Sequence, residues 1–309
     1  MTTYLKHYDG LEPQSAYHPE TALSLAVLCR LAYEPSRTVK KAVSDELPFD
    51  RCEFFSVKKA KDIDTQCFVA GDATDIVVVF RGTDKINDWF SNFQAVRDPG
   101  PLTKTKAHEG FQDALFPSVI RLTNAIDTLF NNGQRIWVTG HSLGGALCSL
   151  YAAMMFEAGY HVHGIYTFAS PRPGDAKLAD ALETRMSHGP HHRVVNENDV
   201  VPHVPPEPFF SHSGTRMILR DQDHDITSDG WRGVKRNIFE RLMDFTGINS
   251  DLWNIKGNHV LDGDEGYIAQ LRRQVERGSV PTKRAAKKAA KKRAAKKVPS
   301  RRSRRQRRI

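Results

Sequence analysis

The chain has 309 residues, 39% of them hydrophobic, and a formal net charge of +9. This composition supports a globular domain with a sizeable core and excludes a chain that is disordered throughout. There is no run of about 18 apolar residues of the kind that makes a membrane-spanning helix. The charge is unevenly placed: residues 281–309 hold fifteen Lys or Arg and no acidic residue, which leaves residues 1–280 with 30 basic and 36 acidic residues, a net of −6. The expected organisation is one mildly acidic folded domain over 1–280 and a basic tail over 281–309.

Taken in chain order, the opening sequence MTTYLKHYDGLEPQ lacks the basic start and apolar stretch of a secretory signal. Residues 19–34 are rich in Ala and Leu at helical spacing and open with Pro. Short strands are expected over 51–57 and 64–70. Asp75–Phe80 (DIVVVF) has the continuous β-branched run of a strand buried on both faces. A long amphipathic helix over 107–130 contains Pro117 and stops at Asn132-Gly133. Arg135–Gly140 (RIWVTG) is a second buried strand, followed by an apolar helix over 143–157. Further strands fall at 162–168 and 193–196. Residues 221–258 read as a loop region with a helix near 234–245, and 264–277 as a last amphipathic helix. Strands alternating with helices predict an α/β fold, with a mostly parallel central sheet and helices on both faces.

The chemistry starts at Gly140-His141-Ser142-Leu143-Gly144, with Gly145 following. The pattern G-x-S-x-G lies between a buried strand and a helix. A serine on that sharp turn projects its hydroxyl above the sheet, and small neighbours let the helix pack close behind it. The helix also points its positive end at the serine. A serine hydroxyl needs a base to take its proton, and the base needs an orienting carboxylate. In α/β-hydrolases these follow the serine in the order acid, then histidine.

Asp199 lies just beyond the apolar stretch Val194-Val195 and is the expected acid. Its rival is Asp175, which could instead cap or brace a loop. The histidine candidates are His203, His212, His224 and His259. His259 precedes the last helix and suits the order best. Asp221, Asp223 and Asp225 alternate like the start of a calcium loop. They lack the glycine at its sixth position and the glutamate at its twelfth, so no metal site is expected.

Five segments occur in the order seen in class 3 lipases: Phe80-Arg81-Gly82-Thr83, His108-Glu109-Gly110-Phe111, Thr139–Gly145, Asn196–Pro202 and His259. Over about residues 20–275 the chain resembles that family. The resemblance implies an α/β-hydrolase fold and a lipase-type ester hydrolase that needs no cofactor. It implies a triad of Ser142, Asp199 and His259, with Thr83 and the Leu143 backbone N–H as oxyanion-hole donors. A phospholipase A1 and a simple carboxylesterase are the neighbouring alternatives. A polyanion-binding protein with an inactive hydrolase domain is the alternative of another class.

Two further segments carry expectations. Ile86, Trp89, Phe90 and Phe93 stand at i, i+3, i+4 and i+7, one apolar face of a short helix. The family places a lid here, over the acyl site. The tail, from Lys283 to Arg308, has no apolar stripe and repels itself, so it is expected to be disordered. Its cations suit an anionic membrane surface or nucleic acid. The four cysteines (Cys29, Cys52, Cys67 and Cys148) form no C-x-x-C pair. Together with the opening sequence they predict a cytoplasmic location, with peripheral association to a membrane or other polyanion.

Overall fold

A computed structural model describes residues 3–60, 63–83, 95–131, 133–197, 199–219 and 258–279. The chain divides into two units, Met1–Arg272 and Arg273–Ile309. The first holds the whole of the main sheet; the second begins inside the last described helix.

Among the described residues seven strands form that sheet: β1 (Arg51–Ala60), β2 (Ile63–Gly71), β3 (Asp75–Phe80), β6 (Arg135–His141), β7 (Val162–Phe168), β8 (His191–Asn196) and β9 (Thr215–Leu219), in this spatial order. β1, β2 and β3 pair antiparallel; from β3 to β9 every pairing is parallel. A separate ribbon pairs β4 (Arg97–Pro99) with β5 (Lys106–His108). The expected α/β architecture with a mostly parallel sheet is the one found. The continuous apolar run of β3 follows from its position, since it has β2 on one side and β6 on the other, and all six residues are buried.

The start of β3 is tied to the start of β6 by chemistry as well as by the ladder. Asp75 opposes Arg135 in register and takes a two-pronged ion pair from it, at 2.8 and 2.7 Å. The Trp137 indole N–H donates to the same carboxylate at 2.7 Å. Such a forked pair fixes geometry as well as charge. It sets the register that carries Phe80 to Gly140 at the other end of the two strands.

Helices pack on both faces. α3 (Glu109–Leu129) and α4 (Leu143–Glu157) share one core with Val69, Ile76, Val78, Ile136 and Val138. Each such side chain taken from water contributes roughly 1.5–3 kcal/mol before entropy is counted. On the opposite face, α1 (Pro19–Leu31) brings the Cys29 thiol to within 3.4 Å of the Thr139 hydroxyl. α4 is apolar all round and almost wholly buried, as a helix lying under a sheet must be.

Differences from the sequence reading have local causes. α2 (Ser36–Glu46) was not expected; its only buried residues are Val39, Ala42 and Val43, a narrow stripe in a charged helix. α3 begins at Glu109, not 107, because His108 caps it by accepting from Phe111 N–H, and residues 106–108 form a strand. It runs on through Pro117 to Leu129. β8 starts at His191, two residues early, since both His191 and His192 are buried. β9 was missed because its side chains are mostly exposed or half-buried, with only Leu219 fully covered. α6 runs from Tyr267 to Ser279. Nearly all of the region over 221–258, including the expected helix near 234–245, lies outside the described residues, as does the tail.

Candidate active site

The site lies at the C-terminal ends of β3, β6 and β8. Ser142 sits between β6 and α4 with φ 58° and ψ −131°, a backbone shape that L-residues rarely adopt. Its N–H donates to the Phe168 carbonyl at 2.9 Å, which ties the turn to β7. Two glycines make the turn possible. A Cβ on Gly140 would lie 2.2 Å from the Gly144 carbonyl oxygen. A Cβ on Gly144 would lie 2.3 Å from that of Phe80. The strand–turn–helix can therefore close only without those side chains.

Three side chains named from different parts of the sequence meet here. His259 Nε2 lies 2.9 Å from Ser142 Oγ, and His259 Nδ1 lies 3.0 Å from each oxygen of Asp199. Ser142 and Asp199 have no solvent exposure and His259 has 5%. Because a carboxylate only accepts, Nδ1 of His259 carries the hydrogen and Nε2 faces the serine hydroxyl as an acceptor. A buried carboxylate needs several donors. Asp199 also accepts from Val201 N–H at 3.0 Å and from the Tyr267 hydroxyl at 2.7 Å. The Tyr267 phenol is held well above its usual pKa, chiefly by burial and next by the Asp199 charge, so it remains a donor.

Asn196 braces the loop that brings His259 in. Its side-chain amide donates to the carbonyls of Asn258 at 3.1 Å and Glu265 at 2.9 Å. Neither Asn196 nor Tyr267 was singled out from sequence. Asn196 begins the segment that ends at Pro202, which was a signal; Tyr267 gave none beyond its place in an amphipathic helix.

The remaining candidates separate clearly. Asp175 caps α5 (Ala176–Arg185) by accepting from Leu178 N–H at 2.9 Å. His203 lies in a short 3-10 turn, and His212 Nε2–H donates to the Pro202 carbonyl at 2.7 Å. His224 and the 221–225 acidic loop lie outside the described residues, as do Ile86, Trp89, Phe90 and Phe93 of the expected lid. Leu143 is the first residue of α4, in the turn whose N–H groups have no partner within the helix. Thr83 follows Gly82, whose Cα lies so near the serine that a Cβ there would come within 2.9 Å of Ser142 Cβ.

Residues 77–209 match the family model described as lipase (class 3). The chain is 36% identical over 170 residues to a lipase of Rhizomucor miehei, a match covering 51% of this chain and 46% of that one. A secreted mono- and diacylglycerol lipase of Malassezia globosa is 33% identical over 184 residues, covering 52% and 56%. Over this central stretch the chain is similar to class 3 lipases. A solved triacylglycerol lipase, described as having a serine protease triad for its catalytic centre, is similar to it with a TM-score of 0.51 at 28% identity. That match covers 71% of this chain and 80% of the other. The chain spans about half the length of the curated relatives it matches.

These relatives correct one expectation. The Malassezia lipase is named as secreted, as are relatives from Fusarium solani and Penicillium cyclopium, which points away from the cytoplasm. The physical reason lies in the cysteines that suggested a reducing compartment. All four are unpaired, and Cys29, Cys67 and Cys148 are fully buried. Burial pushes the Cys29 and Cys67 thiols up to about 12. Thiols packed as small hydrophobes do not report the redox state outside. Among the described residues no helix is long and apolar enough to cross a membrane.

Proposed function

We propose that the protein is an extracellular serine hydrolase that cleaves carboxylic esters of lipids. The observation that carries this reading is the single hydrogen-bonded line from Ser142 through His259 to Asp199. The names of the class 3 relatives support lipid esters as the substrate class. Ser142 Oγ attacks the ester carbonyl while His259 Nε2 takes its proton. Asp199 holds the imidazole in the required tautomer and stabilises the imidazolium. The oxyanion develops between Thr83 and the Leu143 N–H at the positive end of α4, where one such donor is worth about 3 kcal/mol. His259 then protonates the leaving alcohol, and water releases the acyl group by the same route.

The test is hydrolysis of p-nitrophenyl butyrate and palmitate by wild type and Ser142→Ala, with fluorophosphonate labelling alongside. Wild-type turnover and labelling, both abolished in the variant, are expected. Equal rates in the two proteins would remove Ser142 from the reaction. The basic tail, Lys283–Arg308, supports a second element of the reading, in which the protein is drawn to anionic lipid surfaces.

A further inference from the structure

Ser142 is preceded by a histidine that the triad does not use, and its partners form a continuous chain across the site. His141 has 4% exposure. Its Nε2 lies 2.7 Å from the carbonyl oxygen of His259, and its Nδ1 lies 2.8 Å from the Tyr33 hydroxyl. A carbonyl only accepts, so Nε2 carries the hydrogen. In the neutral ring Nδ1 is then an acceptor, and the Tyr33 O–H donates to it. The Tyr33 oxygen also packs against the Gly82 backbone. The contact is close: a Cβ on Gly82 would lie 2.3 Å from the Tyr33 oxygen.

The direction of each hydrogen is thus fixed from Tyr33 through His141 to the His259 carbonyl, and the Tyr33 oxygen lies against the Gly82 backbone. One end is the backbone beside Thr83; the other is the backbone of the base. We propose that Tyr33 and His141 are positioning residues that lock the oxyanion-side loop and His259 into one geometry. This inference rests on the ester-hydrolase reading for its kinetic consequence, though the relay itself is a matter of geometry.

The relay also settles the charge next to the base. The His141 ring lies against that of His259, tilted by 40° with centroids 4.9 Å apart, and Tyr267 meets it edge-on at 5.9 Å. Arg81 lies over the Tyr33 ring at 5.3 Å. When His259 takes the serine proton it becomes a cation, and a second imidazolium beside it would oppose that step. Nε2 of His141 already bears a hydrogen, and a proton on Nδ1 would displace the hydrogen bond from Tyr33. Burial and the neighbouring His259 both keep it neutral.

The experiment uses Tyr33→Phe, His141→Gln and the double variant in the full chain. Two readouts are taken: steady-state kinetics on p-nitrophenyl butyrate, and the downfield proton resonance of His259 Nδ1–H in the resting protein. Each single variant is expected to lower kcat about tenfold with KM within about twofold, and the double variant to be no worse than the weaker single one. The resonance should move in both singles. Wild-type kcat with an unmoved resonance, or losses that multiply in the double variant, would overturn the relay. A resonance that moves in both singles, with an esterase rate indifferent to Ser142→Ala, would sink the hydrolase reading and leave the relay standing. If His141→Gln fails to fold, Tyr33→Phe, which keeps the ring, decides by the same two readouts.

Discussion

The Tyr267 hydroxyl donates to Asp199 Oδ2 at 2.7 Å while accepting the Asn196 N–H at 3.0 Å. One phenol thus joins the start of α6 to the end of β8 and to the carboxylate behind His259. Tyr267→Phe keeps the buried ring and removes only the oxygen. It leaves Asp199 short of a donor and the Asn196 N–H without its acceptor. The expected cost is about 1–3 kcal/mol in urea unfolding. A fall in kcat with little change in KM should accompany it, because the acid's orientation of the base is loosened and substrate contacts are untouched. Wild-type stability and kcat together would show that Val201 N–H and His259 suffice to hold the carboxylate.

Asp175 and Asp199 offer a matched contrast. Asp175 accepts a helix N–H at the surface side of α5, whereas Asp199 is fully buried against His259. Asp175→Ala should cost about 1 kcal/mol of stability, as lost N-caps do, with kcat unchanged. Asp199→Asn preserves shape but favours the wrong imidazole tautomer, and is expected to lower kcat about 10⁴-fold. Thermal melts and steady-state rates on both proteins check this. A large rate loss in the Asp175 variant would contradict the capping role.

The contrast also shows why some features were legible in the sequence and others were not. Ser142 stood out because backbone crowding at Gly140 and Gly144 leaves a short-range signature. Asp199 and His259 were reachable through chain order and strand ends. Tyr33, by contrast, lies 108 residues from His141 and is joined to it only by folding. Tyr267 reaches Asp199 across 68 residues in the same way. Among the elements, β3 and α4 were plain because burial on all sides makes an unbroken apolar run. α2 and β9 were lost because they bury only a few residues each. The compartment was misread from thiols whose burial makes them silent on it.

A third prediction concerns acid. Burial, aided by His192 and Arg193, lowers His191 from 6.5 to about 3, and burial lowers His203 to about 4 with help from Arg172. His141 and His212 are depressed by burial as well. These groups stay neutral in the folded protein but take protons in the unfolded chain below about pH 6.5. Unfolding therefore gains protons as pH falls, and stability present above pH 6.5 is lost progressively toward pH 3–4. Each kcal/mol lost lowers Tm by about 2–4 °C at this size. Melts at pH 7, 5.5 and 4.5 should show a steady decline, shallower in His191→Gln. A flat profile would mean that these histidines are no harder to protonate in the fold than in the open chain.

The tail supplies the last prediction. Residues 281–309 carry fifteen cations and no acidic residue, on a domain whose own balance is −6. Without the tail, a mildly acidic domain is repelled by an anionic bilayer; with it, each cation near the surface is worth about 1 kcal/mol. A chain ending at residue 280 should keep its rate on soluble p-nitrophenyl butyrate and on zwitterionic vesicles. On vesicles containing anionic lipid its rate should fall severalfold below that of the full chain. Because the Debye length shrinks to about 3 Å at 1 M salt, high salt should erase the difference between the two chains. Equal rates on anionic vesicles at low salt would detach the tail from lipid, and salt-sensitive retention of the full chain on DNA would then identify its polyanion.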